Sequence, residues 1–335
     1  MDLLQPYLTE RVCALVDCVE RLAGLPTFEL MSRKERTAVG AAAYLDIDDR
    51  HATIRLYPDD LDEYLVAHEL MHLILVESGW PTCRTISLPQ SDYVAWEVAN
   101  RVNNTFHHFL FVPLLADMGI DVAPHRARQL ENVAAWPRVA NDDLFYIFDV
   151  MVVVDLLMSG EAIRAETINS IGHANIQLLN YARRIEQDMA PALARTASGV
   201  RDSMIAVIQR LDRWLANHIP GQTPLLQRMT LSGLFWQEEL VRPATGLTRF
   251  EYASTKLNGT ADMVFRLIHL GDNSMLAAKR YGRRWIAPHE VRRARAIWRE
   301  DSLAALLKTL QAPYRLLDTD EPFSLHAAHR RLNHP

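Results

Sequence analysis

His68, Glu69 and His72 stand within five consecutive residues, His68-Glu69-Leu70-Met71-His72, the spacing at which a helix can carry the chemistry of a zinc hydrolase. Residues four apart on an α-helix lie about 40° apart around the axis and one turn apart along it. Both imidazoles therefore project from one face and can ligate a single tetrahedral zinc ion. Glu69 sits beside them, placed to take a proton from a zinc-activated water, whose pKa the metal lowers to about 7. A catalytic zinc needs a third protein ligand and one open position. Glu97, 25 residues after His72 in the run Ala95-Trp96-Glu97-Val98-Ala99-Asn100, is the expected third ligand. Asp92 is its rival, with His107 and His108 behind it. Glu77 is a poor choice, since it points about 140° away from His72 on its own helix. Tyr93, His107 and His108 are the nearest candidates for stabilising an oxyanion, although a buried helix position is the plainer reading of each.

These residues need elements to hold them. Leu8, Val12, Leu15, Val19 and Leu22 recur at helical spacing. Two short segments follow, 41–47 and 52–57, separated by Asp48-Asp49-Arg50, and read as a hairpin. In the second, Ile54 and Leu56 alternate with Thr53, Arg55 and Tyr57. Pro58 ends it, Asp59 or Asp60 is placed to cap the next helix, and that helix runs from about Leu61 to Glu77 before Gly79 and Pro81. Ser91 is a plausible N-cap for a second helix that carries Glu97 and ends before Pro113. Past about Pro124 the strand texture disappears. Helical stripes such as Val200, Met204, Ile208, Leu211 and Leu215 recur almost to the end.

At this point the chain resembles the ImmA/IrrE family of minimal gluzincin metallopeptidases. The resemblance rests on Ala43-Tyr44-Leu45, on Ala52-Thr53-Ile54-Arg55-Leu56, on Ala67 to Leu75 around the histidine motif, and on Glu97, Ala99, Asn100 and Phe109 to Pro113. It covers roughly residues 1 to 120. The stretch from Asn100 to Pro113 is about one turn longer than the family's, and Met71 stands where the family often has Gly. The resemblance implies an α+β protein with a zincin-like domain at 1–124: a helix, a β-hairpin or sheet, a zinc-binding helix and a ligand helix. A mostly α-helical regulatory or recognition region would follow at 125–335. It also implies Zn²⁺ held by His68, His72 and Glu97, with Glu69 as the catalytic base. The implied activity is limited proteolysis of one regulatory protein, such as a helix-turn-helix repressor. An extended substrate would pair with the edge strand Ala52 to Tyr57 by strand addition.

Composition narrows the alternatives. The 335 residues carry 36 Lys and Arg against 41 Asp and Glu, for a formal charge of −5, and 49% are hydrophobic. That excludes a disordered, collagen-like or globally basic protein. Cys13, Cys18 and Cys83 form no Cys-x-x-Cys pair and suit a reducing, cytoplasmic setting. The apolar run from Leu144 to Met158 contains Asp149 and Asp155 and is shorter than a membrane span, so it reads as a buried helix. Near the end, Lys279, Arg280, Arg283, Arg284, Arg292, Arg293, Arg295 and Arg299 share 21 residues with the single acid Glu290. Two short helices split near Ile286-Ala287-Pro288 would form a helix-turn-helix-like segment at 274–299, with Arg292, Arg293 and Arg295 contacting nucleic acid or an acidic partner. A solvated helix face is the plainer reading. His173, His218, His269 and His289 have no metal-like spacing. Two further functions compete with the peptidase. One is a nucleic-acid-associated transcriptional or stress regulator whose zinc site is structural or inactive. The other is a helical interaction protein whose metal site opens only with its partner bound.

Overall fold

The structure is a computed structural model that describes residues 7–35, 43–47, 51–86, 92–135, 145–219, 223–235, 237–257, 260–280, 287–310, 312, 314–316 and 320–325. The chain is a mixed α+β protein, mainly helical with small sheets. It divides into two compact units, one gathering Met1–Trp80, His107–Gln129 and Phe323–Pro335, the other Pro81–Phe106 and Leu130–Pro322.

In the first unit, α1 (Glu10–Ala23) begins at Thr9, whose side chain accepts the Val12 N–H, and it buries Val12, Leu15, Val16 and Val19. Strands β1 (Thr27–Leu30), β2 (Ala43–Ile47) and β3 (Ala52–Leu56) make one sheet in the order β1-β3-β2. The expected hairpin forms, with Ala43 opposite Leu56 and Ile47 opposite Ala52. Its turn, 48–50, lies outside the described residues. The sheet corrects one expectation: β3 is not an edge. The short strand Thr27-Phe28-Glu29-Leu30 pairs with it in parallel on its other side, and four residues without clean alternation give little warning in the sequence.

Helix α2 (Glu63–Glu77) carries the histidine motif. Its cap is Asp62, not Asp59 or Asp60: the Asp62 carboxylate accepts the Leu65 N–H at 2.9 Å, while the other two lie in a 3-10 turn, Pro58–Asp60. Gly79, at φ 73°, takes the left-handed turn that ends the helix. Buried residues run all round α2, from Val66 and Ala67 through Leu70 to Leu75, as expected of a central helix. Helix α1 and strands β2 and β3 contact it.

Helix α3 (Tyr93–Asp117) contributes its first part, to Phe106, to the second unit and its remainder to the first. It runs through Pro113 instead of ending before it. A proline removes one N–H and crowds the carbonyl four residues back, and here the helix absorbs that among the buried Phe109, Leu110, Phe111 and Leu115. The expected cap, Ser91, lies outside the described residues, and Asp92 accepts the Ala95 N–H at 3.1 Å. Helix α4 (Ala123–Ala135) follows.

The second unit holds α5 (Phe145–Leu157), α6 (Glu161–Ala174), α7 (Ile176–Asp188) and α8 (Ala197–His218). The apolar run is the buried α5, in contact with α6 and α7. Among the described residues no helix is long and apolar enough to cross a membrane. The region beyond 125 is not uniformly helical. After α8 come β5 (Met229–Leu231), antiparallel to the earlier strand β4 (Cys83–Thr85), then β6 (Gly233–Phe235) and a short α9 (Gln237–Leu240). Then β7 (Thr248–Leu257), β8 (Thr260–His269) and β9 (Met275–Arg280) build an antiparallel sheet. Helices α10 (Pro288–Glu300) and α11 (Leu303–Thr309) follow, and strand β10 (Tyr314–Leu316) pairs in parallel with β6. Val264 to Ile268 are buried on both faces of β8, which erases the two-residue alternation by which a strand is recognised. The same sheet overturns the helix-turn-helix expectation. β9 occupies 275–280 where a first helix was expected, and 281–286 lie outside the described residues.

Candidate metal centre

The first unit brings three imidazoles to one point. His68 and His72 project from successive turns of α2, as their spacing requires, and the third is His108 of α3. One ligand atom from each lies within 4.8 Å of the other two. His68 Nε2 stands 3.1 Å from His72 Nε2 and 3.3 Å from His108 Nε2. Zn–N bonds of about 2.0–2.1 Å in a tetrahedron place neighbouring ligand nitrogens about 3.3–3.4 Å apart, so the cluster has the size of a zinc site. A ring nitrogen offers either one lone pair or one N–H. His68 Nε2 therefore cannot form a full hydrogen bond with both neighbours, whereas one cation satisfies all three lone pairs.

The rings are held from behind. His68 Nδ1 is 3.1 Å from the Tyr64 hydroxyl, and His72 Nδ1 is 3.0 Å from His107 Nδ1. With Nε2 of each directed to a metal, both Nδ1 atoms carry the proton and donate it, which fixes tautomer and orientation. The Tyr64 ring stacks on His125 at 4.2 Å, and His125 Nε2 meets Asp62 Oδ2 at 2.7 Å. Asp62 thus caps α2 with one oxygen and anchors this ring network with the other. Phe111, fully buried, lies edge-on to His68, His72 and His108 with centroids 5.0–5.5 Å away, giving the cluster an apolar wall.

The surroundings hold the ligand in the form a metal needs. Burial holds His72 well below the ordinary histidine value, and His68, His107, His108 and Arg126 add to the effect. The ring is therefore neutral, the form that binds metals. Glu69 is 6% exposed, and burial pushes its carboxyl up to about 8. Its Oε1 is 3.9 Å from His68 Nε2, close enough for a divalent ion between the imidazoles to favour the carboxylate form.

The other expected site residues fall elsewhere. Glu97 stands outside the cluster and binds Arg101 at 2.7 Å across one helical turn. Glu97 and His108 are eleven residues apart on α3, about three turns and 16 Å along one axis, too far to share an ion. Asp92 caps α3 and pairs with Arg228 at 2.8 Å, both side chains 8% exposed. His107 lies behind His72, and Tyr93 packs by its ring on Trp96 and Phe148. The signal for the third ligand was two consecutive histidines inside the apolar run Phe106 to Val112, where a polar pair needs a partner.

On α10, Arg292, Arg293, Arg295 and Arg299 are exposed. The Arg295 guanidinium lies 5.4 Å from the Tyr252 ring centre, and Trp298 Nε1 donates to Thr248 Oγ1 at 3.1 Å, so Trp298 is a packing residue. Tyr281, Arg283, Arg284 and Trp285 lie outside the described residues. No protein-family model, curated protein or solved structure matches this chain.

Proposed function

We propose that the chain is a zinc-dependent endopeptidase of ImmA/IrrE-like, zincin-like type that cuts a regulatory protein, a helix-turn-helix repressor being the favoured class. The observation that carries this reading is the convergence of His68, His72 and His108 with a buried glutamate next to the first of them. The order of helix, three-stranded sheet and motif helix supports it. Three imidazoles leave a fourth tetrahedral position open. Bound zinc supplies Lewis acidity there. Glu69 takes the proton of the attacking water and returns it to the leaving amine. His68 and His72 stay oriented through Tyr64 and His107, and Phe111 keeps water from one side. An extended substrate segment would add to β1 or β2, the outer strands of the sheet among the described residues.

The test is one experiment with two readouts. Purified protein should hold one zinc per chain by mass spectrometry. Incubated with transcriptional regulators encoded beside its gene, the wild type should release defined fragments that Glu69→Gln does not. A folded protein that binds no zinc, or equal cleavage by both forms, overturns the proposal.

A further inference from the structure

Helix α10 divides into two faces. Val291, Ala294 and Trp298 share one side with Ile297 at its edge, and Ile297 and Trp298 pack on the core that Phe235, Leu267 and Leu306 help to form. Arg292, Arg295 and Arg299 fall on the other side, within about 60° around the axis and about 10 Å along it. All three are exposed, as is Arg293 on the flank.

These guanidinium groups are left without counter-charges. Among the described residues none of the four side chains makes a hydrogen bond or an ion pair. On other helices Arg101, Arg164 and Arg210 each meet a carboxylate. The acids around α10 do not serve the stripe. The Glu290 carboxylate is turned to the Ala287 N–H at 3.0 Å, and Glu251 of β7 binds Arg249 at 2.7 Å. Glu300 and Asp301, at the end of the helix, form no ion pair among the described residues. Like charges three and four residues apart on a helix repel, so the stripe destabilises α10 until an anion from outside lies along it. Arg295 is also held in place: its guanidinium lies over the Tyr252 ring, 5.4 Å from the centre. A cation–π contact of this kind positions the group and keeps its charge.

We propose that the stripe of Arg292, Arg295 and Arg299 binds the phosphate backbone of duplex DNA without reading its sequence. Each strand of a duplex carries a charge about every 3.4 Å of axis, so three guanidiniums spread over about 10 Å match about three phosphates. The chain as a whole carries −5, so its attraction to a polyanion is local to such a stripe. A duplex is favoured over a single strand because single-strand sites add aromatic faces on which bases stack, and the ring at this stripe, Tyr252, has Arg295 over it. The stripe belongs to the second unit, and the proposal is independent of the metal centre.

Fluorescence anisotropy on the full chain tests it with two short labelled duplexes of unrelated sequence, one of their single strands, and labelled polyglutamate. Both duplexes should bind equally. The slope of log K against log salt should be about −2.7 for three phosphates, a fall of about fortyfold between 50 and 200 mM salt. Arg292→Ala should bring the slope to about −1.8. The triple variant Arg292→Gln, Arg295→Gln, Arg299→Gln should abolish binding while circular dichroism shows it folded; if it does not fold, the slope of Arg292→Ala decides. Arg184→Gln, at an exposed position on α7, should leave affinity and slope unchanged. No duplex binding by the folded wild type, preference for one duplex, a slope unchanged in Arg292→Ala, or an equal loss in Arg184→Gln overturns the proposal. So does binding retained by the folded triple variant, or tighter binding of the single strand or of polyglutamate than of the duplex.

Discussion

At the scale of single residues, the centre separates two glutamates and two histidines that a sequence pattern treats alike. Glu69 is buried beside His68, whereas Glu97 is spent on an i,i+4 pair with Arg101. His108→Ala should therefore empty the zinc site after dialysis against a mild chelator while Glu97→Ala keeps one zinc per chain, both read by elemental mass spectrometry. Retention of zinc by His108→Ala would restore Glu97 as ligand. His107→Ala removes only the group behind His72, and a loss of about 10–100-fold in zinc affinity is expected in a competition assay with a fluorescent chelator. Glu69→Gln should retain zinc and lose about 10²–10⁴-fold in peptide cleavage, the usual contribution of a general base.

At the scale of elements, one side chain starts the motif helix and steadies its histidines. Burial pushes the Asp62 carboxyl up, but its hydrogen bonds to His125 and the Leu65 N–H outweigh this and hold it below the ordinary aspartate value. Asp62→Ala should cost about 1 kcal/mol in denaturant unfolding through the lost cap. Asp62→Asn, which can still accept from Leu65, should recover most of that stability. Much of this element's neighbourhood was legible in the sequence. The capped helix, the two-histidine face and the hairpin before it follow from short-range spacing. The second unit was harder to read, because buried strands such as β8 lose their alternation and only Asn258-Gly259, between two runs whose register pairs Leu257 with Thr260, marked a hairpin. At Pro113 the helix continues, since a proline's penalty is local and a packed helix can absorb it. His108 was hidden because no local spacing ties it to the motif; only the fold brings α3 to α2.

At the scale of the whole molecule, long-range polar ties hold distant segments of the second unit. Arg201 of α8, 6% exposed at its side chain, binds Asp272, the Ser232 carbonyl at 3.0 Å and Ser274 Oγ at 2.6 Å. Arg201→Met should cost about 3–5 kcal/mol, as expected when one partner of a buried pair is left alone. Burial works against the Asp272 carboxylate, yet His269, Arg201 and Ser274 hold its pKa far below the ordinary range. A depressed folded pKa adds stability above the unfolded value near 4, and that stability is lost as pH falls below it. The melting-temperature gap between wild type and Asp272→Asn should thus be widest near pH 7 and narrow steadily as pH falls below about 4. The chain also alternates between units, leaving the first at Trp80 and re-entering it at His107 and again at Phe323. A fragment ending at residue 124 therefore lacks Phe323, whose ring meets the buried Trp80 at 5.1 Å, and it strands Cys83–Thr85 without their partner Met229–Leu231. Such a fragment should show no cooperative melt by circular dichroism. The same ordering sets a clock during translation. Ribosomes add about 5–20 residues per second, so Trp80 waits on the order of ten seconds or more for Phe323, and the first unit closes late in synthesis.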